Sequence, residues 1–176
     1  MNTKTRGTYE PRLVSEYILE NFPGAIVYYD QPLGAIPPEA PRSNTGQYLA
    51  GVARTSRPRA DAIVIHEDTL WIVEGKIIDV SLGAGKLPMY ERLVPSTPEL
   101  SEYKDLPRKM LLISANPAQW SAQEALVHNI ELVVYQPEWS KEYLHWRNHY
   151  FTADARRARA ARKARLIALG YDELPG

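Results

Sequence analysis

The chain has 176 residues, 44% of them hydrophobic and 24% charged, which suits one globular domain able to bury a sizeable core. It has no cysteine, so disulfides and thiolate metal sites are excluded. Lysine and arginine total 21 against 21 aspartates and glutamates, so bulk charge does not draw the chain to a polyanion.

In chain order, the first element expected is a helix over Pro11 to Asn21. Proline suits a first turn, and Leu13, Val14, Tyr17 and Ile18 make an apolar stripe. Phe22-Pro23-Gly24 ends it, and Ala25 to Asp30 reads as a strand. A long proline-rich connection follows from Gln31 to Arg59, closing with Arg54, Arg57 and Arg59. A loop above about 12–15 residues is usually functional or disordered, and two readings are open: a solvated linker, or a set of arginines that holds phosphates. Asp61 to His66 and Thr69 to Glu74 are short runs of strand formers separated only by Glu67 and Asp68. If that pair is the turn, Ile63 faces Ile72 and Asp61 faces Glu74. Opposed residues have Cβ atoms about 4.5–5.5 Å apart. Strand alternation then puts Asp61, Glu74 and Lys76 on the face that carries Ile63, Ile65, Leu70 and Ile72. Two carboxylates at the margin of a core-facing surface repel unless something neutralises them. A shared divalent cation does so; the plainer reading is a solvated Glu74–Lys76 pair, contributing about 0–1 kcal/mol.

The second half continues with a helix over Gly85 to Val94, where Pro88 is expected in the first turn. Lys109 to Ala115 is a strand too apolar for an exposed face, Ala118 to Asn129 a helix and Glu131 to Tyr135 a strand. Trp139, Tyr143 and Trp146 recur at helical spacing and read as packing residues, while His145 and His149 have a zinc-like spacing but no third ligand. Residues 1–150 are expected to form the domain and 151–176 a basic tail, whose helix over Ala153 to Leu169 carries Arg156, Arg157, Arg159, Arg162, Lys163 and Arg165. These charges surround most of the wheel, so the helix is either solvated or a clamp on DNA or an acidic partner. Residues 1–59 hold 7 basic and 5 acidic groups, residues 60–150 hold 8 and 13, and residues 151–176 hold 6 and 3, so basic flanks bracket an acidic middle.

An aspartate opening one strand, followed by Glu74-Gly75-Lys76 closing the next, resembles the motif of the PD-(D/E)XK, or restriction-endonuclease-like, nucleases. Ala60 stands where that family commonly has proline. Lys86-Leu87-Pro88-Met89-Tyr90 looks like the Gln-x-x-x-Tyr helix motif of one branch, with Lys86 in place of glutamine. The element order matches the family's αβββαβ core across residues 10 to 136. The fold implied is α/β, a mixed central sheet flanked by helices with a C-terminal helical extension. The resemblance implies a DNA phosphodiesterase with Asp61, Glu74 and Lys76 as catalytic residues. Asp61, Glu74 and the Gly75 carbonyl would hold Mg²⁺ or Mn²⁺, which hard oxygen ligands select. Glu16 (or Glu20) of the first helix, Lys86 and Tyr90 are accessory candidates. The same resemblance admits a second reading, a nuclease-fold assembly protein of a phage head-completion or neck type, binding DNA, copies of itself or virion subunits. No apolar run approaches the about 18 residues needed to span a membrane, and Met1 to Arg6 carries no signal region. The expected location is therefore the cytoplasm, or a virion if the chain is phage-encoded.

Overall fold

The computed structural model describes residues 9–37, 57–78, 80–150 and 152–168. The elements run α1 (Tyr9–Asn21), β1 (Ile26–Pro32), β2 (Arg59–His66), β3 (Thr69–Lys76), α2 (Val80–Leu93), two 3₁₀ turns (Val94–Ser96 and Pro98–Tyr103), β4 (Arg108–Ser114), α3 (Ser121–Val127), β5 (Ile130–Val134), α4 (Glu138–Tyr150) and α5 (Ala153–Ala168). The strands make one mixed sheet in the order β1-β2-β3-β4-β5. The first two pairings are antiparallel and the last two parallel. Parallel neighbours need crossovers, and α2 and α3 supply them. The expectation of an α/β chain with a mixed sheet and flanking helices therefore holds.

The β2–β3 hairpin turns on two residues, Glu67 and Asp68, both left-handed at φ 46° and 56°. Two successive positive φ values match the right-handed twist of the flanking strands. They set the register Ile63 to Ile72 and Ala62 to Val73. The pairing ends at Ala62 and Val73, and one residue further on the Asp61 side chain accepts from the Gly75 amide at 2.8 Å.

Alternation splits the buried residues between two faces. Ile63, Leu70, Ile72, Met110 and Leu112 pack with Val80, Ala84, Leu87 and Tyr90 of α2 and with Ala125 of α3. The opposite strand positions, Ala62, Val64, Val73, Leu111 and Ile113, are also buried. Leu13, Val14 and Ile18 of α1 are buried as well, and that helix contacts β3.

The long connection is tied at its base. Leu33 N–H donates to Pro58 O at 2.8 Å, extending the β1–β2 ladder. Buried Arg57 donates to Gly34 O at 2.9 Å and forms a two-pronged ion pair with Glu99. Gly34 (φ 88°) donates to Thr97 Oγ1 at 2.8 Å. Residues 38–56, Arg54 among them, lie outside the described residues.

Two expectations shift. The crossover helix starts at Val80 rather than Gly85, so Pro88 sits inside it rather than in its first turn. Contacts divide the chain into Gly7–Tyr135 and a unit holding α4 and α5, so α4 groups with the basic helix and the division falls before the expected 150. No helix among the described residues is long and apolar enough to cross a membrane.

Candidate functional site

Four elements meet at the C-terminal end of β3. Asp61 comes from β2, Glu74, Gly75 and Lys76 from β3, Lys86 and Tyr90 from α2, and Glu10 from α1. Gly75 makes this convergence possible: a Cβ there would lie 2.4 Å from Val14 Cγ2 and 3.3 Å from Glu10 O. The helix α1 therefore lies directly on the strand. Gly83 does the same on the other face, where a Cβ would meet Leu112 Cδ1 at 2.6 Å and Glu74 Cγ at 3.4 Å.

Glu74 is 1% exposed. Its Oε1 accepts from Lys86 Nζ at 3.0 Å and lies 3.3 Å from Lys76 Nζ. Its Oε2 has no hydrogen-bond partner. An unpaired buried carboxylate oxygen is costly. Burial raises the Glu74 pKa, the neighbouring Asp61 charge raises it further, and the two lysines pull the other way. Asp61 accepts from Gly75 N–H at 2.8 Å through Oδ2. Its pKa is also raised, chiefly by burial, against the lowering pull of that amide and Lys76.

Lys76 is 8% exposed and donates to Glu10 Oε2 and to Gly75 O, each at 2.9 Å. Burial disfavours its charge, but Glu10, Glu74 and Asp61 outweigh this, and its pKa lies above the usual lysine value. Tyr90 is buried, and desolvation plus the Glu74 and Asp61 charges hold its phenol protonated.

The structure thus brings Asp61, Glu74, Gly75, Lys76, Lys86 and Tyr90 together. Glu16 is elsewhere, paired with Arg12 at 2.7 Å, and Glu20 accepts from Tyr135 at 2.7 Å. The helix-borne carboxylate at the site is Glu10. A helix read as starting at Pro11 leaves Glu10 outside, whereas the helix begins at Tyr9. The signal was present: Glu10, Val14 and Ile18 are spaced by four, so Glu10 shares the face that Val14 presents to Gly75.

The connecting arginines have partners within the fold. Arg57 is 5% exposed and bonds to Glu99 and the Gly34 carbonyl, which anchors the base of the connection. Arg59 is paired with Asp30 across the β1–β2 edge. In the other unit, Arg157 pairs with Asp154 at 2.7 Å, and Arg159 lies over the Tyr150 ring at 3.6 Å. Arg156, Arg162, Lys163 and Arg165 are exposed along α5.

Among the described residues no group of three or more His, Cys, Asp or Glu side chains is gathered for a metal. The donors at the site are two carboxylates and one carbonyl. That hard-oxygen set fits Mg²⁺, which usually takes one or two carboxylates and keeps several waters. The unpartnered Glu74 Oε2 is the oxygen such an ion would satisfy. Comparison with family models, with curated proteins and with solved structures finds no match for this chain.

Proposed function

We propose that the chain is a metal-dependent DNA phosphodiesterase whose fold is of the restriction-endonuclease-like kind. One observation carries the reading: Glu74 is almost wholly buried beside Asp61, with one carboxylate oxygen left unpaired. A fold that only needed stability would pair or replace such a group. The αβββαβ order around the site and the closeness of the two acids, each on a strand of the β2–β3 hairpin, add support.

In this reading Asp61, Glu74 and the Gly75 carbonyl would hold Mg²⁺ or Mn²⁺. When bound, such an ion polarises a phosphate and lowers the pKa of its water. Lys76 supplies a fixed positive charge where the phosphate gains negative charge, and it is preorganised by Glu10 and the Gly75 carbonyl. Glu10 positions Lys76. Lys86 offsets the charge of Glu74 through its 3.0 Å contact with Oε1. Tyr90 stays protonated and is a hydrogen-bond donor at the wall of the site.

The test is cleavage of linear duplex, circular and single-stranded DNA with Mg²⁺ or Mn²⁺. Asp61→Asn and Lys76→Ala should each reduce the rate by roughly 10²–10³-fold with circular dichroism unchanged. One observation favours a second reading, a nuclease-fold module that holds DNA or partner subunits: Lys76 and Lys86 already neutralise Glu74 without an ion. Wild-type protein that binds DNA but cuts none of these substrates with either ion would select it.

A further inference from the structure

Beside the carboxylate pair, a cleft of about 360 Å³ is lined by Pro11, Arg12 and Ser15 of α1, Tyr29 and Asp30 of β1, and Asp61. Because Asp61 lines it, the cleft shares a wall with the site just described. Its volume lies at the small end of ligand-sized pockets, about 300–1,000 Å³. That is enough room for one nucleotide.

The strand β1 explains the shape. Tyr28 pairs with Ile63 and turns to the α2 face, where its hydroxyl meets that of Tyr103 at 3.5 Å. Tyr29 therefore turns to the α1 face, where its cross-strand partner is the small, fully buried Ala62. The ring has no bulky neighbour on that partner strand position, and it stays 50% exposed at the edge of the sheet. Asp30, left-handed at φ 52°, follows it and is held by Arg59. Across the cleft, Arg12 pairs with Glu16 at 2.7 Å with half its side chain exposed. Such exposed pairs contribute about 0–1 kcal/mol, and a guanidinium also binds a phosphate through two parallel hydrogen bonds.

We propose that this cleft takes one unpaired nucleotide of a nucleic-acid strand, with the Tyr29 ring stacked on its base and Arg12 bonded to its phosphate. The proposal rests on the phosphodiesterase reading and deepens it: the strand delivered to Asp61 and Glu74 is single, or the frayed end of a duplex. An aromatic platform of this kind accepts any base, so it confers preference for unpaired strands without reading sequence.

Binding separates this idea from catalysis. Fluorescence anisotropy in EDTA would compare a 20-nucleotide thymidine strand, an abasic strand of the same length and a blunt duplex. The full-length wild type should prefer the thymidine strand to both. Tyr29→Ala should weaken that binding by roughly 10–100-fold and bind the abasic strand like wild type. Tyr29→Trp should restore it, which excludes misfolding as the cause. Arg12→Ala should make the salt dependence of single-strand binding shallower by about 0.7. If Tyr29→Ala binds the thymidine strand as tightly as wild type, or wild type holds duplex equally well, the subsite is wrong. Divalent-ion-dependent cleavage would then still stand or fall on its own assay.

Discussion

Glu74 and Asp61 are costly residues for this fold in the absence of an ion. Both have pKa values raised above their ordinary 4.5 and 3.8, so the folded state binds protons more readily than the unfolded chain. The sign follows from linkage. Below those ordinary values both states are protonated and no cost is felt. As pH rises through them towards the raised values, the unfolded chain ionises more readily and stability is lost. Lys76 acts at the other extreme: its contribution is present below its ordinary 10.5 and disappears as pH rises through the raised value. Replacing Asp61 by asparagine keeps an oxygen for the Gly75 amide and removes one charge from the pair. Asp61→Asn should therefore stabilise the ion-free protein at pH 7 by about 1 kcal/mol and flatten its loss of stability above the acid range. Added Mg²⁺ should raise the melting temperature of the wild type and leave the variant's unchanged. Calorimetry from pH 4 to 8, with EDTA and with Mg²⁺, reads both. A variant that melts below wild type in EDTA would show that Asp61 is a structural partner and not a strained ligand.

At the scale of elements, the site depends on how closely α1 lies on β3. Gly75→Ala would push a methyl to within 2.4 Å of Val14 Cγ2, a branched group fixed on a helix that cannot yield cheaply. Overpacking of this kind costs about 1–3 kcal/mol. Combining it with Val14→Ala should recover much of that loss, so urea denaturation of the two single variants and the double variant should be clearly non-additive. Additive values would mean that α1 shifts freely and that the close approach does not position Glu10 over Lys76. The same packing decides what could be read from the sequence. The β2–β3 register from Ala62 to Thr69 is legible because alternation and a two-residue turn agree on one pairing. The start of α2 is not. Gly83, Gly85 and Pro88 argue locally against a helix, at about 1 kcal/mol for each glycine and 3 for an interior proline. Burial of Val80, Ala84, Leu87 and Tyr90 against the sheet overrides that preference. Gly83 is required there because the helix touches Leu112. The partner of Arg57 is not legible for a related reason: its charge shows in the sequence, whereas Glu99, which pairs with it, is separated from it by the whole hairpin and α2.

At the scale of the molecule, chemistry and charge are segregated. The strand-bearing unit, Gly7–Tyr135, contains every residue of the carboxylate site and the cleft beside it. The other unit contains α4 and α5, where Tyr143, Trp146 and Tyr150 form a run of ring contacts and Arg159 caps it. With Arg157 and Arg159 engaged inside that unit, Arg156, Arg162, Lys163 and Arg165 are the cations that α5 offers to a partner. If that partner is nucleic acid, the helix contributes affinity through counterion release and contributes nothing to the chemical step. A chain ending at Tyr135 should then fold with a cooperative transition and cleave at an unchanged rate when DNA saturates it. Its binding should weaken, and the plot of log Kobs against log[salt] for duplex DNA should become shallower by roughly 3–4, as expected for four lost phosphate contacts. A slope equal to that of the full chain would remove DNA as the ligand of α5. The four cations would then be left to an acidic protein surface, which a pull-down with the isolated strand-bearing unit as control would distinguish.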